Sequence, residues 1–323
     1  MQNPQRQVSL GQLMDEILAM PEYELRQQLL GFNTSIYILD QNYAELQWLI
    51  NFLENDPNGH LLMVVANQDK LHQAQVDIIR RLHNFVAAAQ SLVDHTRRLY
   101  DKLYGSTNLF PEYQARIKQE FVSDPLSQFV QRLRQYCQHY KAPGIGIEVS
   151  IKQTEAGMVE KRTVFLPMND LKEFDGWNAA AKQYMSTVEG DVNVLEVASN
   201  YRNKVIQFYK WFQSRQVEIH AVELARFDAK QAQFALLHIE QSVNACLNNR
   251  DDMPYRGEEI LAGILSSQEL EELDQFAPSS VERASHAVQL LEKHYSVPDD
   301  LKQKIMVLYQ EPSFWSVRTW NSD

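Results

Sequence analysis

The sequence predicts a mainly α protein, a multi-helix bundle with one β-hairpin at about 147–166 and a C-terminal helical tail. Three observations lead there. Apolar residues recur at i, i+3, i+4 and i+7 along most of the chain. Residues 191–250 contain neither Gly nor Pro. Strict alternation is confined to one stretch, where Ile147, Val149 and Ile151 interleave with Glu148, Ser150 and Lys152.

The elements follow in order. Leu10–Met20 and Pro21–Leu30 read as two short helices meeting at Pro21, a residue suited to a first helical turn. Asn42–Asn55 places Leu46, Leu49, Ile50 and Leu53 on one face. DPNG at 56–59 predicts a turn, and His60–Val65 (HLLMVV) suits the opening of a helix better than a short strand. Asp69–Leu103 reads as one long helix with Leu71, Ile78, Leu82, Phe85, Val86 and Leu92 as its buried stripe, closed by Gly105. Pro111–Phe121 is short. Asp124-Pro125 starts a helix that must stop before Pro143. The hairpin turns near Ala156-Gly157 and, being marginal alone in water, is expected to lie on the helices. Asp170–Thr187 reads as one helix. Val194, Ala198, Tyr201, Val205, Phe208 and Phe212 step by fours and threes, a heptad-like seam that falters at 213–218. Residues 248–259 read as a linker. Beyond them come three short helices, two with capping boxes (Ser266 with Glu269, Ser279 with Glu282) and one starting at Pro298. The segment 312–320, PSFWSVRTW, is expected to dock back on the bundle, with binding to a partner as the alternative. This organisation divides the chain into an N-terminal helical arm (1–58), a bundle carrying the hairpin (59–250) and an acidic helical tail (251–323).

Composition narrows the function. With 323 residues, 44% of them hydrophobic and 23% charged, the chain is an ordinary globular protein. Eleven glycines disfavour glycine-rich phosphate loops. Two cysteines, Cys137 and Cys246, point to a reducing cytoplasm rather than a disulfide framework. The apolar run Phe85–Val93 is far below the roughly 18 residues of a membrane span. No Walker A, HExxH, GxSxG or paired CxxC motif is present, so no metal and no cofactor is expected.

The formal net charge of −11 argues against broad nucleic-acid binding, but it is uneven. From Asp251 onward there are fourteen acids and six bases, whereas Pro125–Ile147 holds no acid at all. Inside that window QRLRQYCQHYKAP (131–143) gathers Arg132, Arg134, His139, Lys141, Tyr136 and Tyr140. Residues five apart on a helix differ by roughly 140° and about 7.5 Å of rise, so Arg134 and His139 do not stack on one face. They can still meet in a groove at a helix end, above all where a second copy supplies the other half.

The spacing of Arg134 and His139 resembles the Arg-x(4–6)-His motif of the HEPN superfamily, helical-bundle proteins that include many ribonuclease toxins. Gln135 stands where that family commonly has a polar residue, more typically asparagine, aspartate or histidine. Arg132–His139 and Arg215–His220 also satisfy the pattern, but the second of these has Glu218 between its members. The resemblance covers roughly residues 60–250. It implies a metal-independent endoribonuclease acting as a homodimer on RNA, in stress response or defence. His139 is then the acid/base and Arg134 the phosphate clamp. Gln135 orients a phosphate or the imidazole, and Tyr140 offers a ring for base stacking. Arg132 extends the cationic surface, and if the helix carrying RRLHNFVAAAQSLVDHTRRLYDK (80–102) packs antiparallel to Pro125–Tyr140, His95, Arg97 or Arg98 enlarges it, Arg98 being also spaced to pair with Asp94.

A second reading stays open beside this one. The same bundle, seam and acidic tail suit a non-catalytic interaction module that binds a protein partner, and each site residue has an ordinary structural use. His139 can favour a helix C-terminus, the arginines a solvated face, and the tyrosines simple packing.

Overall fold

Pro21 opens a single 35-residue helix, Pro21–Asn55, where two helices and a connection are expected. Its inward residues Phe32, Ile36, Leu39, Tyr43, Leu46, Ile50 and Leu53 step by fours and threes without a break. One helical glycine such as Gly31 costs only about 1 kcal/mol. A buried Leu or Phe returns roughly 1.5–3 kcal/mol, so the stripe overrides it. The computed structural model describes residues 8–154, 157–248, 260–261, 263–277 and 280–310. Among them are thirteen α-helices and a three-stranded antiparallel sheet.

The first helix, Leu10–Ala19 (α1), begins with a capping box between Ser9 and Gln12. Pro21–Asn55 is α2. DPNG makes no simple turn: Asp56 accepts from the Asn58 N–H at 2.7 Å and Pro57 takes the first helical position, so Pro57–Leu61 is a short helix (α3). The helix expected over 60–65 therefore ends at Leu61, and a 3₁₀ turn at Val65–Asn67 leads into Gln68–Tyr104 (α4). The predicted stripe of α4 is buried from Ile78 to Leu92. Tyr113–Ile117 (α5) passes into a π turn at Lys118–Val122. Pro125–Gln135 (α6) opens at Asp124, which accepts from the Ser127 N–H at 2.8 Å, and passes into a second π turn at Tyr136–Tyr140.

Gly146–Thr154 (β1) and Gly157–Leu166 (β2) form the expected hairpin, with Gly146 opposite Phe165 and Thr154 opposite Gly157. It is not alone, because Val192–Asn193 (β3) pairs with Phe165 and Leu166. Only its inner half lies on the helices. Val164 and Leu166 are buried, and Glu54 accepts the Val164 N–H at 2.7 Å. The outer half carries Val149 (46% exposed), Ile151 (60%) and Met158 (72%) in the open.

The helix expected over 170–187 is two, Met168–Lys172 (α7) and Ala179–Thr187 (α8). Between them Trp177 is buried and stacked on Phe129 at 5.2 Å, and Asn178 caps α8 by accepting from Ala181. Val194–Ile219 (α9) buries every residue of the predicted seam. It breaks at His220, not within 213–218, and Gln216 is buried in its last turns. Ala221–Asn248 (α10) follows, then Ser267–Leu273 (α11), Val281–His294 (α12) and Asp299–Gln310 (α13). The Ser266–Glu269 capping box is present. Ser279 lies outside the described residues, and the cap of α12 is Ser280, which accepts from the Arg283 N–H. The predicted linker beyond Asn248 and the segment 312–320 also lie outside them.

Two compact units emerge, Arg26–His220 and a second that joins the chain up to Leu25 to the chain from Ala221. The boundaries fall at 25/26 and 220/221. Most of α2 belongs with α4 and α9 because their apolar stripes share one core. The second unit packs Ile239, Val243 and Cys246 of α10 with Leu290, Leu291, Leu301 and Ile305. No helix of the described residues is long and apolar enough to cross a membrane.

Candidate functional site

The site is built where α6 changes winding. Tyr136 is fully buried, edge-on to Phe174 at 5.6 Å and facing Trp177 at 6.2 Å. Its N–H is shared between the Arg132 and Leu133 carbonyls, and its own carbonyl accepts from Lys141 at 3.2 Å, five residues on. A π turn takes more residues per revolution than an α turn. The offset between Arg134 and His139 therefore falls below the roughly 140° of an unbroken α-helix. Such turns are frequent at functional positions.

The two side chains still occupy different surroundings. His139 is exposed and has no hydrogen-bonding or ionic partner among the described residues. Arg134 is half-buried on the wall of a cavity of about 130 Å³, and His139 is not among the residues lining it. The Arg134 Nε is buried with no acceptor, and no described residue forms an ion pair with this guanidinium. Arg132 donates from Nη1 to Gln135 Oε1 at 2.7 Å, which ties Gln135 to an arginine and leaves its NH₂ group to donate elsewhere. Tyr140 is 47% exposed, with its ring at 5.3 Å from Phe174 and its hydroxyl 3.4 Å from the Glu173 carbonyl.

The acid-free window of the sequence is not acid-free in space. Glu173 at the end of α7 lies 2.7 Å from Lys141 and holds the ammonium's pKa up, with Asp170 adding to the field. Burial pushes the neighbouring Cys137 thiol up to about 12, which makes it an inert packing residue.

Of the three candidates on α4, one lines the cavity. Arg98 is exposed and does not line the cavity, whereas Arg97 does. Asp94 lies 3.7 Å from Arg97 and accepts from Gln90 at 3.0 Å, and no Asp94–Arg98 pair forms. Helical phase explains this. Ala89, Val93 and Arg97 are four apart and share a face, and the next residue is rotated by about 100°. That phase is legible in the sequence. His95 is held by Ser35, Nδ1 to Oγ at 2.8 Å.

The alternative pair Arg215–His220 is engaged elsewhere. Arg215 binds Glu112 at 2.6 Å and also Glu218, and His220 Nε2 lies 3.1 Å from the Tyr104 hydroxyl. Arg202 and Lys204 are likewise paired, with Asp40 and with Asp124. Of the Arg–His pairs, those that share His139 keep an arginine free of any carboxylate among the described residues, and in Arg134 that arginine has no side-chain hydrogen bond either. No family model, curated protein or solved structure matches the chain.

Proposed function

We propose that this chain is a HEPN-like, metal-independent endoribonuclease of the cytoplasm that works as a homodimer. The observation carrying the proposal is His139, exposed and free of any carboxylate partner, one π turn beyond an unpaired Arg134. An imidazole titrates near neutrality and can accept the proton of an RNA 2′-OH. The 2′-oxygen then bonds to phosphorus as the bond to the 5′-oxygen breaks, and an imidazolium, supplied by the second copy, protonates the leaving oxygen. The products are a 2′,3′-cyclic phosphate and a 5′-hydroxyl. Arg134 offers a guanidinium to the nonbridging oxygens, where charge grows. Gln135 adds a donor, while Arg132, Tyr140 and Arg98 extend the RNA path along the surface.

Single-stranded RNA incubated in EDTA tests this. Wild type should yield cyclic-phosphate ends, and His139→Ala should lose about 100-fold or more of the rate with an unchanged circular dichroism spectrum. Cleavage that survives His139→Ala undiminished, or a wild type that cuts no RNA, ends the proposal.

One observation favours a second reading, a non-catalytic interaction module: Arg134 borders an apolar cavity that His139 does not reach. That reading expects no cleavage in any oligomeric state and a protein partner held through the acidic tail.

A further inference from the structure

We infer that the cavity beside Arg134 is a binding site for a small apolar carboxylate, of about the size of an aryl-acetate. Its walls are mainly aliphatic and aromatic, with Ala89 and Val93 of α4, Phe121, Val130 of α6 and Val205 of α9 among them, and with Gln90, Gln128 and Gln131 adding uncharged polar groups. Among the described lining residues the only charged groups are Arg97 and Arg134, and none is an acid. The cavity volume, about 130 Å³, matches the scale at which an apolar protein cavity of about 150 Å³ takes up benzene. An apolar body therefore fits the interior.

The charge of the ligand follows from the arginines. The Arg134 guanidinium has no hydrogen-bonding or ionic partner among the described residues, so its charge is uncompensated at the cavity wall. Arg97 is 65% exposed, and its nearest carboxylate, Asp94, stands at 3.7 Å, beyond hydrogen-bond distance. Two guanidiniums with open donors above an apolar chamber complement a molecule that is apolar at one end and anionic at the other. A planar carboxylate meets the fork geometry of a guanidinium directly. A neutral molecule of the same shape would leave both arginines as they are.

The inference does not rest on the ribonuclease reading, since binding is measured without RNA. The two share Arg134, so an enzyme of that kind would be inhibited by the bound acid.

Fluorine NMR on the full chain, with 4-fluorophenylacetate and its neutral amide as matched probes, decides the matter. The acid should bind at least tenfold more tightly than the amide. Arg97→Gln, a surface change that spares the core, should weaken the acid fivefold or more and leave the amide unchanged. Ala89→Leu, which fills the chamber, should remove binding of both. Equal binding of acid and amide, acid binding indifferent to Arg97→Gln in the folded variant, or no binding of either probe at millimolar concentration overturns the inference.

Discussion

Lys141 Nζ lies 2.7 Å from Glu173 Oε2, a carboxylate 32 residues further along the chain. The one lysine of the acid-free window is thus neutralised by a residue outside it. Glu173→Gln frees this ammonium for phosphate. Each additional phosphate neutralised on a single strand should steepen the salt dependence of log K by about 0.7. Fluorescence anisotropy with single-stranded RNA at several salt concentrations checks this. Tighter binding and the steeper slope are expected together, and an unchanged slope would mean that RNA does not pass this point.

Thr96 and Tyr209 form a buried relay whose direction the geometry fixes. Thr96 Oγ1 lies 2.6 Å from the Leu92 carbonyl and 2.6 Å from the Tyr209 hydroxyl. The threonine has one proton and gives it to the carbonyl, so the tyrosine is the donor to Thr96. Tyr209→Phe should cost about 0.5–1.5 kcal/mol, the net worth of one hydrogen bond. Thr96→Val strands a buried hydroxyl and should cost more, about 1–3 kcal/mol. Urea denaturation of both variants gives the order, and the reverse order would contradict the assigned direction.

Burial raises the Glu54 carboxyl above its ordinary 4.5, outweighing the Val164 N–H bond and the nearby charges of Lys161 and Arg162. The folded chain then binds this proton more tightly than the unfolded chain does. The contribution to stability is complete below 4.5 and is lost as pH rises through the higher folded value. Glu54→Gln keeps an acceptor for Val164 without the charge. Its melting temperature relative to wild type should rise from about pH 4 to about pH 7. A difference that stays flat with pH would show that Glu54 ionises freely.

Glu269 behaves in the opposite sense. The Ser266 N–H, His294 at 2.6 Å and the Ser266 hydroxyl hold its carboxyl down at about 2. The stabilisation is present above the ordinary 4.5 and disappears as pH falls toward the folded value. Glu269→Gln should therefore be less stable than wild type near neutrality, and the two should converge in acid. Thermal melts followed across that range test it, and curves that stay parallel would rule out the link.

Much of the architecture is legible from spacing alone. The stripe of α4, the seam of α9, the Asp124-Pro125 start of α6 and the place of the hairpin and its turn are local patterns, set by helical period, capping chemistry and alternation. Where sequence and structure differ, the cause is a competition that local rules do not decide. Gly31 is outweighed by a continuous apolar face, and Asp56 converts an apparent turn into a helix start. Trp177, sinking onto Phe129, splits the helix expected over 170–187.

For the site, the sequence by itself determined which groups are present, with two arginines, a histidine, a lysine, two tyrosines and the glutamine at 135 within one window. Only the tertiary structure decided what surrounds them. The π turn forms around a buried Tyr136, and α7 brings Glu173 to Lys141. The phase of α4 sets Arg97, of the three candidates there, on the cavity that Arg134 also lines. Identity and spacing are written along the chain, but charge, burial and accessibility depend on residues that are distant in sequence and close in space.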